Sequence, residues 1–139
     1  MKESTWEECI ETTSSLEVSP DIPKSKSLIE TAKGRSDFLK GIEIKDNNAN
    51  YICESYYSSV IEMLHAVVLV KGYKVTNHIC LGYYLRDILE RQDLFRLFDD
   101  CRYKRNSLVY YGKHMGFESA KQTIQKCLKL IKELEYLIK

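Results

Sequence analysis

One arginine lies where a helix is expected to face the protein core. Arg105 follows Leu94 by eleven residues and Phe98 by seven, so at about 100° per residue the three side chains share one stripe. A guanidinium keeps its proton, and a buried one needs a carboxylate, a ring of acceptors or a phosphate beside it. A structural arginine would cover the core with its aliphatic stem and pair with a nearby acid. The candidate acids are Asp87, Asp99 and Asp100. The other interpretation is that Arg105 holds the phosphate of a ligand.

Three neighbours of Arg105 extend this chemistry. Arg102 and Lys104 add positive charge, and Tyr103 between them adds an aromatic ring. Side chains of these types contact RNA phosphates and stack on unpaired bases. A cluster of three charges is also common on the solvated face of a helix. Together with Arg105, these residues are the predicted set for binding RNA or a nucleotide.

Other residues with acid–base chemistry are scattered along the chain. His65 lies among apolar residues and is expected to be a packed core or interface residue. His78 follows a predicted helix cap and is expected to be a helix-start residue rather than a ligand. Glu54 and Glu62 are eight residues apart and could face the arginine helix, although solvated carboxylates are commoner.

Helical periodicity covers most of the chain and gives the elements that must position these residues. The predicted helices span 21–41, 52–72, 77–91, 93–111 and 118–138. Asp21 with Pro23 and Asn77 are start signals, while Gly41 and Gly72 are stop signals. The boundaries therefore rest on capping chemistry as well as on apolar spacing.

The pattern predicts one all-α domain over residues 1–139. No segment alternates polar and apolar residues over a useful length, so no strand is expected. Short connections between amphipathic helices favour antiparallel neighbours. We expect an up-and-down bundle of four to five helices, with residues 1–20 forming an N-terminal extension that holds a short helix around 6–10.

Composition limits the classes of partner. The chain has 21 basic and 20 acidic residues, and a net charge of +1 gives no long-range field for nucleic acid or anionic membrane. Any basic site must therefore be local. No apolar run approaches the length of roughly 20 residues that a membrane helix needs. The ten tyrosines, with their apolar rings and polar tips, are a weak sign of self-association.

The cysteines indicate a reducing compartment. Five occur singly, with no CxxC pair and with no histidine beside them: Cys9, Cys53, Cys80, Cys101 and Cys127. Neither zinc nor another metal or cofactor is expected, because metal ligands occur at short spacings. The chain begins Met-Lys-Glu-Ser-Thr-Trp, without a signal peptide. We therefore expect reduced thiols in a cytoplasmic protein and no disulfide framework.

The arginine helix also resembles a known family. The run Arg105-Asn106-x-x-x-Tyr110-Tyr111-Gly112 is similar to the signature helix of HEPN domains, in which an Arg, often followed by Asn, precedes a His after four to six residues. The segment 56–66 and the turn 71–73 leading to 77–78 fit the same pattern. The resemblance extends from about residue 28 to the C-terminus. The sequence around Arg105 most resembles that of archaeal stand-alone members.

The resemblance implies a helical bundle that forms a homodimer, with the arginine helices of two subunits lining one cleft. Some HEPN families are metal-independent ribonucleases of toxin or defence systems, and others pair with small nucleotidyltransferases of the MNT type or only bind. Carried over to this chain, Arg105 holds phosphate and Asn106 supports its geometry.

The family's histidine is missing from its place. After four to six intervening residues the chain has Tyr110, Tyr111 and Gly112. A phenol with a pKa near 10 is a poor base at neutral pH, although Tyr110 or Tyr111 can donate a hydrogen bond to phosphate or act as an acid. His114 lies nine residues after Arg105, beyond the family spacing, and would have to turn back at Gly112 to reach the cleft.

Two functions from different classes remain open at this stage. The first is a dimer that binds RNA or a nucleotide around Arg105 and Asn106, with ribonuclease activity weakened by the missing histidine. The second is a non-catalytic module that binds a small nucleotidyltransferase. The near-zero net charge slightly favours the protein partner, because nonspecific RNA affinity depends on phosphate neutralisation.

Overall fold

The computed structural model describes residues 2–112 and 114–138, with the side chains of 109–111 outside the description. The helices are α1 (Trp6–Glu11), α2 (Ile22–Lys40), α3 (Ala49–Val70), α4 (His78–Tyr83), α5 (Gln92–Tyr111) and α6 (Phe117–Ile138). A π-helical turn, Tyr84–Ile88, continues α4. Two short strands are β1 (Ser15–Glu17) and β2 (Tyr73–Val75).

Helix α3 is the central element of the bundle. It packs against α2 on one side and α6 on the other, and α6 also packs against α5. Large side chains of α3 are fully enclosed, among them Tyr57, Met63 and Leu64. A helix that is apolar on nearly all sides belongs in the core. With 73% of the described residues helical, the prediction of a mostly helical domain is confirmed.

Capping residues define the helix ends much as the sequence indicated. The Asp21 carboxylate accepts a hydrogen bond from the Lys24 backbone N–H at the start of α2. The Asn77 side chain accepts one from Ile79 at the start of α4. Gly112 ends α5 in the left-handed region at φ 63°, a conformation that a side chain disfavours.

The structure corrects the prediction that no strand is present. Strands β1 and β2 pair antiparallel, with Ser15 opposite Val75 and Glu17 opposite Tyr73. Three residues are too few for a period-two pattern, and the partners are far apart in the sequence. Gly72 permits the pairing, because its φ is 87° and a Cβ atom there would lie 2.8 Å from the Val18 carbonyl oxygen. The described part of the domain therefore has a small sheet and six helices, namely the short helix expected in residues 1–20 and one helix in each of the five other predicted segments.

The N-terminal segment packs onto the bundle. The short helix predicted around 6–10 is present as α1, and its Trp6 is only 5% exposed. The Trp6 ring meets Tyr73 and Tyr84 edge-on, with centroids 5.2 and 5.0 Å away. The Trp6 backbone N–H donates to the Asp87 carboxylate at 2.8 Å. These contacts tie the first residues to β2 and to the π-helical turn.

The prediction of reduced thiols is wrong for one pair of cysteines. Cys9 in α1 and Cys80 in α4 form a disulfide that spans 71 residues of sequence. A disulfide fits a cytoplasmic location poorly, because thiols there are kept reduced. The two cysteines meet only because α1 folds back onto α4, which their spacing in the sequence does not reveal.

The other three cysteines are free and buried: Cys53, Cys101 and Cys127. Burial, followed by the charge of Cys101, raises the pKa of the Cys53 thiol to about 12. The Sγ atoms of Cys101 and Cys127 lie 3.7 Å apart between α5 and α6. All three thiols are enclosed in the apolar core, so these cysteines act as core residues. Over the described residues, no helix is long and apolar enough to cross a membrane.

Candidate functional site

Arg105 lies on the buried stripe of α5, as predicted. Leu94, Phe98 and Cys101 on that stripe are fully buried, and Arg105 follows them at the point where the stripe reaches the surface. The guanidinium lies over the ring of Tyr57, with Cζ 5.4 Å from the ring centroid. Its Nε is buried and has no hydrogen-bond partner among the described residues.

The acids expected to neutralise Arg105 are paired with other cations. Asp87 binds Arg86 at 2.7 Å, Asp99 binds Arg102 at 3.0 Å, and Asp100 binds Lys126 at 3.1 Å. Glu62, which shares a cavity with Arg105, forms its ion pair with Arg35. Within the described part of the chain, Arg105 therefore has no carboxylate in an ion pair, and the structural interpretation lacks its partner.

A polar cavity of about 250 Å³ opens beside Arg105. It is lined by Thr76, Asn77, His78, Arg102, Arg105 and Asn106. All of these side chains can donate hydrogen bonds, and no carboxylate is among the described residues that line the cavity. Two guanidiniums and two amides facing one space are suited to an anion with several oxygens, such as a phosphate.

A second cavity of about 220 Å³ is also lined by Arg105. Its walls come from α2, α3, α4 and α5: Arg35, Tyr57, Ser58, Ile61, Glu62, His78 and Arg105. Because Tyr57 and Ile61 contribute to its walls, it is less polar than the first cavity. Arg105 and His78 line both cavities, so these two residues stand between two adjoining spaces.

The contacts of His78 make it the residue that sequence reasoning missed. Its Nδ1 is 3.2 Å from the Tyr57 hydroxyl, and the two rings are 6.0 Å apart between centroids. Burial first, and then the charges of Arg105 and Arg102, lower the pKa of His78. Tyr57 is in turn held by stacking on Phe98 of α5 at 6.2 Å. The Asn77 cap next to His78 was the available signal, but the sequence could not show that α4 begins beside Arg105.

A third cavity of about 410 Å³ adjoins the first through Asn77 and Arg102, which line both. The N-terminal residues 2–4 form one of its walls. There Glu3 accepts hydrogen bonds from Ser14 and Thr12, which lower the pKa of its carboxyl to about 2. The three spaces are linked by shared residues along the N-terminal side of α4 and one face of α5.

Arg102, Arg105 and Asn106 are thus brought together, whereas Tyr103, Lys104 and His114 do not line this cavity. Tyr103 is 67% exposed, and Lys104 lines none of the cavities described above. His114 is exposed, and the next residue, Met115, is tied to Asn50 at the start of α3. The side chains of Tyr110 and Tyr111 lie outside the described residues.

Metal ligands are not grouped in the part of the chain that the structure describes, since no three His, Cys, Asp or Glu residues lie close enough to hold an ion. Comparisons with protein-family models, curated protein sequences and solved structures found no match.

Proposed function

We propose that this chain is a HEPN-like protein that binds RNA or a nucleotide through phosphate in the cavity beside Arg105 and Asn106. The observation that carries the proposal is a guanidinium whose Nε is buried without a hydrogen-bond partner and which makes no ion pair in the described part of the chain. A phosphate would supply the acceptors that this cation lacks.

The donor set supports an anionic ligand over a neutral one. Arg102 and Arg105 face the cavity with the side-chain amides of Asn77 and Asn106. Asp99 neutralises part of the Arg102 charge, which leaves Arg105 as the main uncompensated cation. In the proposal, Arg105 and Arg102 bind phosphate oxygens while the two amides fix their orientation.

The proposal includes cleavage of RNA without a metal ion, as the HEPN resemblance implies. A guanidinium already in place beside the scissile phosphate stabilises the charge that develops there during phosphoryl transfer. It also includes a homodimer in which α5 of two subunits lines one cleft. Tyr103, exposed on α5 next to the arginines, is available for a contact in that arrangement.

The experiment incubates purified protein with mixed cellular RNA, with and without EDTA, beside the Arg105→Ala variant. The proposal predicts EDTA-resistant cleavage that is lost in the variant. Equal cleavage by both proteins would contradict the assigned role of Arg105. Molecular mass from light scattering tests the dimer in the same preparation.

A second candidate function is a non-catalytic module that binds a small nucleotidyltransferase of the MNT type. Its support is a pair of exposed aromatic residues on either side of the α2–α3 connection, Phe38 (71% exposed) and Tyr51 (68% exposed). Exposed aromatic residues are common at protein interfaces. Co-purification that is lost on Phe38→Ala, with RNA binding absent, would favour this function.

A further inference from the structure

The imidazole of His78 stands beside the guanidinium that the proposed function uses. His78 begins α4, whereas Arg105 is in the middle of α5, yet both line the two adjoining cavities. His78 is half-buried, so its ring is shielded but still reaches the cavity surface. A cation and an imidazole facing the same space are the two groups needed to hold a phosphodiester and move a proton.

The hydrogen bond to Tyr57 leaves one ring nitrogen of His78 for a ligand. Nδ1 is 3.2 Å from the Tyr57 hydroxyl oxygen. Among the residues that the structure describes, Nε2 makes no hydrogen bond. When Nδ1 carries the proton and donates to the hydroxyl oxygen, Nε2 has a free lone pair and can accept a proton.

We propose that His78 is the proton-transfer residue of this site, supplied by α4 in place of the histidine that α5 lacks, and that Tyr57 positions it. The inference rests on the proposed function and extends it with a specific reaction. Its substrate class is RNA, because the reaction needs a 2′-hydroxyl next to the scissile phosphate.

The reaction is a transesterification within the RNA strand. Nε2 of His78 takes the proton of the 2′-hydroxyl, the 2′ oxygen bonds to phosphorus, and the bond from phosphorus to the 5′ oxygen breaks. The leaving 5′ oxygen takes a proton from water, and the hydroxide so formed is neutralised by the proton on His78. The products are a 2′,3′-cyclic phosphate and a 5′-hydroxyl. Arg105 stabilises the phosphate charge throughout.

The surroundings of His78 suit a base. Tyr57 and His65 face it from α3, with the His65 ring centroid 6.5 Å away, and Arg105 and Arg102 act on it from α5. Burial and the two guanidiniums disfavour the protonated imidazolium, so the pKa of His78 is lowered. The ring is therefore uncharged at neutral pH and ready to accept a proton.

The test uses end-labelled single-stranded RNA of mixed sequence with the full chain and its His78→Ala variant. The inference predicts that cleavage falls about 100-fold or more, the range for losing a general base, while RNA binding is retained. Free imidazole added to His78→Ala should restore part of the cleavage, which a merely structural role would not allow. DNA of the same sequence should not be cleaved, because it lacks the 2′-hydroxyl.

Two further variants separate folding from chemistry. His78→Asn keeps a polar group near Tyr57 and should fold as judged by circular dichroism, but not cleave. Tyr57→Phe removes the positioning hydroxyl and should shift the pH profile of cleavage while binding persists. Arg96→Ala, which removes an exposed cation of α5 outside both cavities, should cleave normally.

The outcomes separate the role of His78 in cleavage from the role of Arg105 in phosphate binding. Cleavage by a folded His78 variant at the wild-type rate would overturn the role of His78. RNA binding that depends on Arg105, with no cleavage by the wild-type chain, would overturn this inference and leave phosphate binding intact. RNA binding that is unaffected by Arg105→Ala would overturn the proposed function itself.

Discussion

The guanidinium of Arg105 lies over the ring of Tyr57, with Cζ 5.4 Å from the ring centroid. Tyr57, from α3, is itself stacked on Phe98 of α5 with nearly parallel planes, so the ring beneath the cation is held by a second ring. The ring face attracts the charge but does not accept the directed hydrogen bonds that a guanidinium makes with an oxyanion. Arg105 is therefore held in place by the ring, while its buried Nε donates no hydrogen bond to the described residues.

This arrangement predicts that Arg105 contributes little to stability. Arg105→Ala removes a contact worth about 0.5–1 kcal/mol and also relieves a buried unpaired donor that costs about 1–3 kcal/mol. We expect the free energy of unfolding in urea to fall by no more than about 1 kcal/mol. The control is Arg35→Ala, which leaves Glu62 half-buried without its cation and should cost more. A larger loss for Arg105→Ala than for Arg35→Ala would identify Arg105 as a structural residue.

The two neighbouring histidines predict that stability falls as the solution becomes acidic. Burial lowers the pKa of both histidines. The charges of His78 and Lys24 lower the pKa of His65 further, and the charges of Arg105 and Arg102 do the same for His78. The unfolded chain, with histidine pKa values of about 6.5, therefore binds more protons just below that pH. The contribution of the two histidines to the free energy of unfolding is fully present above about pH 6.5. It is lost as the pH falls toward their pKa values in the folded protein.

Urea unfolding between about pH 7.5 and pH 5.5 measures this effect, because ordinary carboxyl groups titrate mainly below that window. Replacing both histidines by Asn should flatten the dependence. Stability of the wild-type chain that is constant or rises on acidification would contradict the pKa directions.

The disulfide predicts a stability that depends on redox conditions. Cross-linking residues 71 apart constrains the unfolded chain, which typically stabilises a protein by about 2–4 kcal/mol. The double variant Cys9→Ser, Cys80→Ser should lose about this amount under oxidising conditions and should match the wild-type chain in dithiothreitol. Thiol titration of the unreduced, unfolded protein should count three thiols, those of Cys53, Cys101 and Cys127. A count of five would show that the disulfide is absent.

Two glycines predict opposite responses to alanine. A Cβ atom at Gly82 in α4 would lie 2.9 Å from a ring carbon of Phe98 and 3.0 Å from one of Phe95. Since Phe98 cannot move within the core, Gly82→Ala should cost about 1–3 kcal/mol by overpacking. Gly34 in α2 has no heavy atom within 4 Å of such a Cβ, so Gly34→Ala should stabilise the helix by about 0.5–1 kcal/mol. Thermal unfolding of both variants measures the contrast, and equal effects would contradict the packing of α4 on α5.

The sequence predicted what local chemistry determines. The caps at Asp21 and Asn77 act on neighbouring backbone, so the starts of α2 and α4 were readable without a structure. The stripe that carries Arg105 follows from spacing within one helix, and it too was predicted correctly. The sequence could not show that Asp87, Asp99 and Asp100 leave Arg105 unpaired, because each of these acids pairs with another cation.

What the sequence did not reveal joins distant segments. The pairing of β1 with β2, the Cys9–Cys80 bond and the approach of His78 to Arg105 all link residues from separate elements. His78 and Tyr57 have ordinary sequence neighbours, and neither stands at a spacing from Arg105 that a helix pattern could indicate. Candidate proton-transfer residues were therefore expected at Tyr110, Tyr111 and His114, on or just after α5, rather than at the start of α4, where the proposed base His78 lies.

The most direct measurement of the central claim is the fluorescence anisotropy of labelled single-stranded RNA titrated with the wild-type chain, Arg105→Ala and Arg96→Ala at several salt concentrations. Arg96 is exposed on the same helix and lines none of the three cavities, so its variant loses the same charge outside the site. The proposal predicts that Arg105→Ala weakens binding at least about tenfold, or about 1.4 kcal/mol. The slope of the logarithm of the binding constant against the logarithm of the salt concentration should become shallower by about one, as expected for one lost phosphate contact. Arg96→Ala should bind nearly as tightly as the wild-type chain. Equal binding by Arg105→Ala and Arg96→Ala would contradict the claim that Arg105 holds phosphate.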